Sequence, residues 1–417
     1  MHSVTEPEHA HTEQSDSTTL PRVDISFAAT GIISGMNSVE HTTPEPQLVM
    51  RPVARNGRFV PSNVYEFSLA ELESWISERG APAYRARQLF GWIYRQHATS
   101  YDDVTVLPKA LRERLTDELP FAALTPLQEW WTDDGETLKV LYQTADGQTL
   151  ETVLMFYPDR ATVCVSCQVG CAVGCSFCAT GLMGLQRNLS AGEMVAQVVD
   201  MARRAAEKGR PLTNLVMMGM GEPFHNYDNV MKMIGIIHDP AGMGFGARRI
   251  TISTSGVVPF IDKLADEPYQ VNLAISIHAG NDELRSELVP LNRRWPLVDL
   301  IGAVRRYIGT TGRRVSFEYA MLNGVNTSDV DARQLARQLR GLRCHVNLIP
   351  YNPTPAYPYE RPGEDVINHF ASILEHAGIP ATVRYSRGVE IAAACGQLHV
   401  EHAARRRAAV ATDDSQK

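Results

Sequence analysis

Cys164-Val-Ser-Cys167-Gln-Val-Gly-Cys171-Ala-Val-Gly-Cys175-Ser-Phe-Cys178 decides how the rest of the chain is read, because it holds five of the seven cysteines in 417 residues. Thiols this closely spaced belong to disulfide frameworks, zinc knuckles or iron–sulfur sites. Disulfides fit worst: the cysteine count is odd, no signal peptide is expected, and such frameworks belong to short exported chains. Zinc fits second. The pairs 164/167 and 175/178 are separated by residues 168–174, far fewer than the roughly 15–20 residues usual between zinc-ribbon knuckles. The better match is the triplet Cys171, Cys175 and Cys178, with Gly170, Gly174 and Gly181 allowing a tight loop around a cluster. Three thiolates for four irons leave one iron without a protein ligand, and an open iron can bind a substrate as well as pass electrons.

After this stretch, strand-like runs alternate with helical ones. The predicted strands are 161–166, 213–218, 249–253, 271–277, 314–320, 345–349 and 381–386. A capping box, Ser190-Ala-Gly-Glu193, opens the helical stretch 190–207 between the first two. Such alternation predicts a parallel sheet, closed or partly closed as a barrel, with chemistry at the carboxyl ends of the strands. The special residues fall there: the cysteine loop, Gly219-Met-Gly221-Glu222-Pro223, Ser253, Ser276-Ile277-His278, Asn352 and Cys395. That coincidence at one rim outweighs any single motif, since a serine at a strand end is ordinarily a cap and a histidine there an ordinary core residue.

Before the cysteine stretch, Ser68-Leu-Ala-Glu71 predicts a capped helix, followed by helices over 84–97 and 108–119. Residues 126–160 change to strand period, and Asp146-Gly147 between 138–144 and 149–156 is a hairpin signal. Glu151 lies in the second of these strands and, taken alone, reads as a solvent-facing carboxylate. Residues 1–50 carry seven acids and one base, a balance of −6 out of the chain's −7, and lack a sustained period. The rest is therefore close to neutral, with arginine pairs at 248/249, 293/294, 305/306 and 313/314 that leave a local phosphate-binding surface open. No run of about 18 apolar residues exists, so no membrane span is expected and cytoplasm is the default. Cys344 reads as buried packing and Cys167 as a spare thiol or a competing partner for Cys164.

The Cys-x-x-x-Cys-x-x-Cys loop resembles that of the radical S-adenosylmethionine (SAM) superfamily, and Gly219-Met-Gly-Glu-Pro223 resembles its glycine-rich Gly-Gly-Glu-Pro element, with methionine at the second position. The segments Cys164-Val-Ser-x-Gln-Val-Gly-Cys171 and Ala393-Ala-Cys395-Gly-Gln-Leu398 are similar to those of the RlmN/Cfr RNA methyltransferases, with Cys167 standing where that family is expected to carry serine. The resemblance runs from about residue 68 to 398. It implies an α/β fold, a partial TIM-like radical SAM barrel over 161–400, with an N-terminal helical module over 51–125, a β-hairpin adaptor over 126–160 and tails at 1–50 and 401–417. It implies a [4Fe-4S] cluster on Cys171, Cys175 and Cys178, and SAM, two molecules per turnover, against Gly221, Glu222, Ser253, Ser276, Ile277, His278 and Asn352.

The same resemblance implies methylation of adenine C2 in 23S rRNA, at the peptidyl-transferase centre, and in tRNA, just 3' of the anticodon. Cys395 would be methylated by the first SAM, and the carbon it carries would join C2 in a covalent protein–RNA intermediate. Glu151, thirteen residues ahead of Cys164, would take the C2 proton, and Cys164 would close a disulfide on Cys395. A flavodoxin or ferredoxin as electron donor and a monomeric state are further expectations. Methylation at C8 of the Cfr type, a non-catalytic iron–sulfur or zinc RNA-binding module, and a dithiol redox protein using Cys164 and Cys167 stay open at this point.

Overall fold

The computed structural model describes residues 62–355 and 357–398, so the expectations for residues 1–50 and 401–417 lie outside the described part. The capping box at Ser68 forms as expected: Glu71 N–H donates to Ser68 Oγ at 3.3 Å and Ser68 N–H to Glu71 Oε2 at 2.8 Å. It opens α1 (Leu69–Ser77), which buries Leu72, Trp75 and Ile76. The helices α2 (Tyr84–Arg95) and α3 (Lys109–Glu118) follow; α2 buries Leu89, Phe90, Ile93 and Tyr94 at helical spacing.

Next come β1 (Leu124–Trp131), β2 (Thr137–Thr144), β3 (Thr149–Tyr157) and β4 (Arg160–Cys164), joined antiparallel in that order. The expected hairpin is thus β2 and β3 of a longer meander. Strand β1 was hidden in the sequence because it is an outer strand, exposed at most positions and interrupted by Pro126, where its register with β2 shifts. A small ladder, β5 (Gln168–Gly170) with β6 (Leu185–Asn188), brackets the cysteine loop and the short α4 (Ala179–Leu182). The chain then alternates through α5 (Ala191–Glu207), β7 (Asn214–Met217), α6 (Tyr227–His238), β8 (Ile250–Thr254), α7 (Val258–Ala265) and β9 (Asn272–Ser276). It continues through α8 (Asp282–Leu288), α9 (Leu297–Thr311), β10 (Val315–Met321), α10 (Asp329–Leu339), β11 (Cys344–Pro350), α11 (Glu364–His376) and β12 (Ala381–Val383).

These strands make one ten-stranded sheet in the order β1-β2-β3-β4-β7-β8-β9-β10-β11-β12, with parallel pairing from β4 to β12. Among the described residues its two ends do not pair with each other, so the parallel part is an open, partial barrel. The antiparallel strands extend the same sheet rather than standing apart from it. Helix α5, capped by Ser190 and Glu193 as expected, is the hub of the packing. Arg187 on β6 grips the Glu193 carboxylate on one side and Asp146 of the hairpin turn on the other, at 2.7 to 2.9 Å.

The N-terminal helices dock on α5 and α6. Lys232 pairs with Glu71 at 2.9 Å, and the Arg95 guanidinium donates to the Gly242 and Pro240 carbonyls. Gly192 makes this approach possible: a Cβ there would lie 2.6 Å from Asn63 Oδ1 and 2.7 Å from Glu66 Oε1. Both neighbours are buried, so neither can swing away freely. Gly192→Ala is therefore expected to destabilise the protein by about 1–3 kcal/mol through overpacking, read as a lower urea midpoint. An unchanged midpoint would mean that the helices do not seat on α5 in this way.

Candidate active site

The cysteine loop is shaped by its glycines and by the chain's other end. Gly170 has φ +77° and lies so close to the Gly184 carbonyl that a Cβ would stand 1.8 Å from its oxygen. This contact closes the loop where β5 meets β6. The Ala179 N–H donates to the Gly396 carbonyl at 2.8 Å, which holds the segment around Cys395 against the loop. Tyr357 donates to the carbonyls of Cys175 and Cys178 from a third direction, at 3.4 and 3.5 Å.

Cys171, Cys175 and Cys178 line a cavity of about 180 Å³ together with Glu222, Ser253 and Ser276. Gly221, His278, Asn352 and Cys395 also face it. The strand ends bring these groups together although the sequence separates them by more than two hundred residues. Ser253 and Ser276, on β8 and β9, are 3.4 Å apart through their hydroxyl oxygens. Asn352 donates to Ser386 Oγ at 2.8 Å and to the Cys395 carbonyl at 3.3 Å, while its Oδ1 is buried without a partner among the described residues. An unpartnered buried acceptor in a polar cavity is what a ligand hydroxyl or amine would satisfy.

Two expectations, for Ile277 and for a solvent-facing Glu151, need correction, and Gly221 and Glu222 have further partners. The Ile277 side chain is fully buried in the core and does not face the cavity; its N–H donates to the Glu318 carbonyl at 3.0 Å. Alternation along β9 explains this, because Ser276 and Ile277 must point to opposite sides of the sheet. Gly221, at φ +107°, makes room for the chain itself, since a Cβ would strike Gln168 Cβ at 2.6 Å and Cys167 Sγ at 2.9 Å. Glu151 is not solvent-facing: it is buried and pairs with Lys139 Nζ at 3.2 Å. Glu222 is largely engaged by the protein, accepting from Phe224 N–H, Ser255 N–H and Ser255 Oγ at 3.0, 2.8 and 2.6 Å. A carboxylate has about four acceptor sites, so room for one more donor is left.

A second, larger cavity of about 650 Å³ lies inside the open barrel, and Cys395, Met218, Glu318 and Ile349 face both cavities. Cys164 lines the larger one. Cys395 is open to these internal spaces yet protein surrounds it, so its thiol is pushed up to about 11, first by desolvation and then by the Glu318 charge, with Arg384 opposing. Burial raises Cys164 further, and a charge on Cys395 adds to that shift, so the two thiols sense each other. Cys167 is buried under Gly221 and lines neither cavity, and Cys344 is buried at the start of β11. All seven cysteines are free thiols.

Two residues that sequence reasoning missed hold this arrangement. Lys139, besides pairing with Glu151, donates to the Ala392 carbonyl at 3.2 Å and so links the carboxylate to the loop that carries Cys395. Arg285 is buried and donates to the carbonyls of Ile277, Ser255 and Ser276 and to Asn292 Oδ1 at 2.7 to 3.2 Å, tying the loops after β8 and β9. Lysine on a strand and arginine on a short helix are ordinary surface residues, and nothing local marks either one as buried.

The residues fit the cofactors that the family implies. Three half-buried cysteines face one cavity beside an unsatisfied acceptor and two serine hydroxyls. Three cysteines on one cavity wall would supply a thiolate to each of three irons of a four-iron cluster and leave the fourth iron open to another ligand.

An open α/β barrel with a cysteine triplet at the carboxyl rim is a radical SAM enzyme, and the sequence matches the radical SAM superfamily over residues 165–336. Residues 62–119 match the ribosomal RNA large subunit methyltransferase N-terminal domain. A probable dual-specificity RNA methyltransferase RlmN of Chloroflexus aurantiacus is 50% identical over 351 residues, covering 81% of this chain and 93% of that one. One from Bacillus cytotoxicus is 45% identical over 339 residues, with coverage of 81% and 93%. The crystal structure of a radical SAM methyltransferase from Sphaerobacter thermophilus superposes with a TM-score of 0.81 at 67% identity, covering 82% of this chain and all of that one. The chain belongs to the RlmN family of SAM-dependent radical RNA methyltransferases.

His278 supplies a pH signature for the rim. It sits at φ +57°, with its Nδ1 accepting from Ala320 N–H at 2.9 Å and its carbonyl accepting from Asn326 at 2.9 Å. Burial lowers its pKa from 6.5 to about 3, helped by the Arg285 charge, so the ring is neutral in the fold. A histidine with a lowered folded pKa contributes stability that is complete above about pH 6.5 and is lost below it, by up to about 1.4 kcal/mol per pH unit. Between pH 7.5 and 5.5 the wild type is expected to lose more stability than His278→Gln, measured by denaturant midpoints. Equal losses would remove His278 from the balance.

Proposed function

We propose that this protein methylates C2 of adenosine in 23S rRNA and in tRNA. The observation that carries the reading is the place of Cys395, whose side chain faces the cavity lined by the cysteine triplet on one side and the larger chamber with Cys164 on the other. A residue that must take a carbon from one ligand and hand it to another belongs in such a wall. Adenine C2 is an electron-poor amidine carbon and cannot attack a methyl sulfonium as an amine would. When bound, the cluster on Cys171, Cys175 and Cys178 and two SAM molecules per turnover would supply, respectively, the electron and the methyl and radical equivalents that such a carbon requires.

The chain's own residues then have distinct tasks. Gly221, Glu222, Ser253, Ser276, His278 and Asn352 hold and orient SAM from the rim. The Cys395 sulfur carries the carbon that joins C2. Glu151 removes the C2 proton, a task that suits a carboxylate buried away from water. Lys139 fixes that carboxylate and the Ala392 carbonyl at once. The Cys164 thiolate attacks the Cys395 sulfur and a disulfide forms; the sulfur–carbon bond to RNA breaks with its electron pair going to the carbon side, the carbon takes up a proton to become the methyl group, and the methylated base leaves. The target base has to be taken out of its stack to reach these groups. A cytoplasmic site, a monomeric state and flavodoxin or ferredoxin as electron source complete the proposal; no described helix is long and apolar enough to cross a membrane.

Anaerobic incubation of the reconstituted protein with SAM, a reductant and unmodified RNA, followed by mass spectrometry of the nucleosides, tests the reading. The expected product is 2-methyladenosine from both RNAs; an 8-methyl product would assign the Cfr-type reaction instead. Cys164→Ala is expected to leave a covalent protein–RNA adduct, seen as a shifted band that ribonuclease collapses, and recovery of free protein alone would count against its role. Glu151→Gln is expected to stop the reaction at a still earlier step, with the C2 proton retained, and normal turnover would exclude it as the base. Lys139→Met leaves the buried carboxylate short of its cation, which costs about 3–5 kcal/mol; a variant as stable as the wild type would show that the pair is not formed.

A further inference from the structure

The larger chamber has a charge pattern that the reaction does not use. Six arginines line it: Arg160 opens β4, Arg313 and Arg314 precede β10, Arg343 precedes β11, and Arg384 and Arg387 follow β12. Four of the six thus sit at the amino ends of the parallel strands, away from the cysteine rim. On other faces several guanidinium groups have acidic partners, as Arg79 has Glu118, Arg204 has Asp200 and Arg306 has Asp262. Here Arg160 pairs with its neighbour Asp159, but among the described residues no carboxylate lies within ion-pair distance of the other five. Arg314, Arg343 and Arg384 are exposed, and Arg313 Nε is buried without an acceptor. Guanidinium groups gathered around one chamber without close ion pairs repel one another, an arrangement that is relieved by a polyanion.

The deep end has the opposite character. Glu318 is buried beside Cys395 and accepts from Asn347 Nδ2 at 2.7 Å. A carboxylate and a carboxamide there suit the exocyclic amine and ring nitrogen of adenine, whereas phosphate would be repelled. Tyr385, 52% exposed, and Tyr157, flanked by Arg160 and Arg387 at 4.0 and 4.6 Å from its ring, add flat surfaces on the walls. Stacking surfaces beside arginines are the means by which proteins hold unstacked RNA. At about 650 Å³ the chamber is within the roughly 300–1,000 Å³ typical of sites that enclose a ligand of nucleotide size.

We propose that this arginine-lined mouth binds the phosphodiester backbone on either side of the target nucleotide. The RNA therefore enters from the amino ends of the strands, opposite the cofactor, with the base leading toward Glu318 and Cys395. This rests on the reading of RNA as substrate. The test measures binding of an anticodon stem-loop RNA to the cluster-loaded full chain by fluorescence anisotropy across a salt series, for the wild type, Arg314→Gln/Arg343→Gln, and Arg306→Gln as a control on another face.

Loss of two phosphate contacts is expected to weaken binding about tenfold at 0.1 M salt and to lower the slope of log K against log salt by about 1.4. Arg306→Gln is expected to bind like the wild type. Cluster absorbance and denaturant midpoints keep a folding defect from passing as a binding one. If the wild type binds and the double variant matches it in affinity and slope, this entry route is wrong. If the wild type neither binds nor methylates any RNA, it is the substrate reading that fails.

Discussion

The structure depends on holding one sulfur in a wall between two spaces. Cys395 lies near the end of the described chain, and segments far from it in sequence brace it. Ala179 N–H reaches the Gly396 carbonyl from the cysteine loop, Asn352 reaches the Cys395 carbonyl from β11, and Lys139 reaches the Ala392 carbonyl from the antiparallel strands. Each bond is worth only about 1 kcal/mol. Their value is geometric, because three elements distant in sequence must all be in place before the sulfur faces both cavities.

The antiparallel extension β1 to β3 then has a purpose that a parallel barrel alone would not provide. It continues the sheet past β4 and brings Glu151 and Lys139 inside as a buried pair. Taking two charges out of water is costly, and an apolar pair of similar volume would often be as stable. The fold keeps the ions at that cost, and through Lys139 the carboxylate is tied to the loop that carries Cys395. Arg285 follows the same logic on the other side, where one buried cation gathers three carbonyls and fixes the loops that carry Ser255 and Ser276.

Much of this was legible in the sequence, and the parts that were not share a cause. Strand–helix alternation set the parallel sheet because buried strands and amphipathic helices have different periods, and the capping boxes at Ser68 and Ser190 formed as read. Residues at strand ends could be gathered at one rim because parallel strands all end on the same side. What failed depended on long-range placement. Period alone could not tell a buried Glu151 from an exposed one, since the face that β3 turns inward is settled only when β4 and α5 cover it. Lys139 and Arg285 were invisible for the same reason. Gly221 was legible as a close approach but not in its partner, because Gln168 and Cys167 lie fifty residues away.

The charge of the whole chain misleads about its substrate for a related reason. A net charge of −7 argues against a polyanionic partner if charge is treated as a sum. Attraction over distances near a Debye length of about 8–10 Å is decided by the groups within that distance, not by the total. Of the arginine pairs read along the sequence, 313/314 reaches the chamber, arriving before β10, and Arg343 joins it before β11, while 248/249, 293/294 and 305/306 do not line it. Parallel strands put their amino ends together just as they do their carboxyl ends. The topology that gathers the cofactor residues at one rim therefore gathers the unpaired cations at the other, and leaves the sulfur of Cys395 between them.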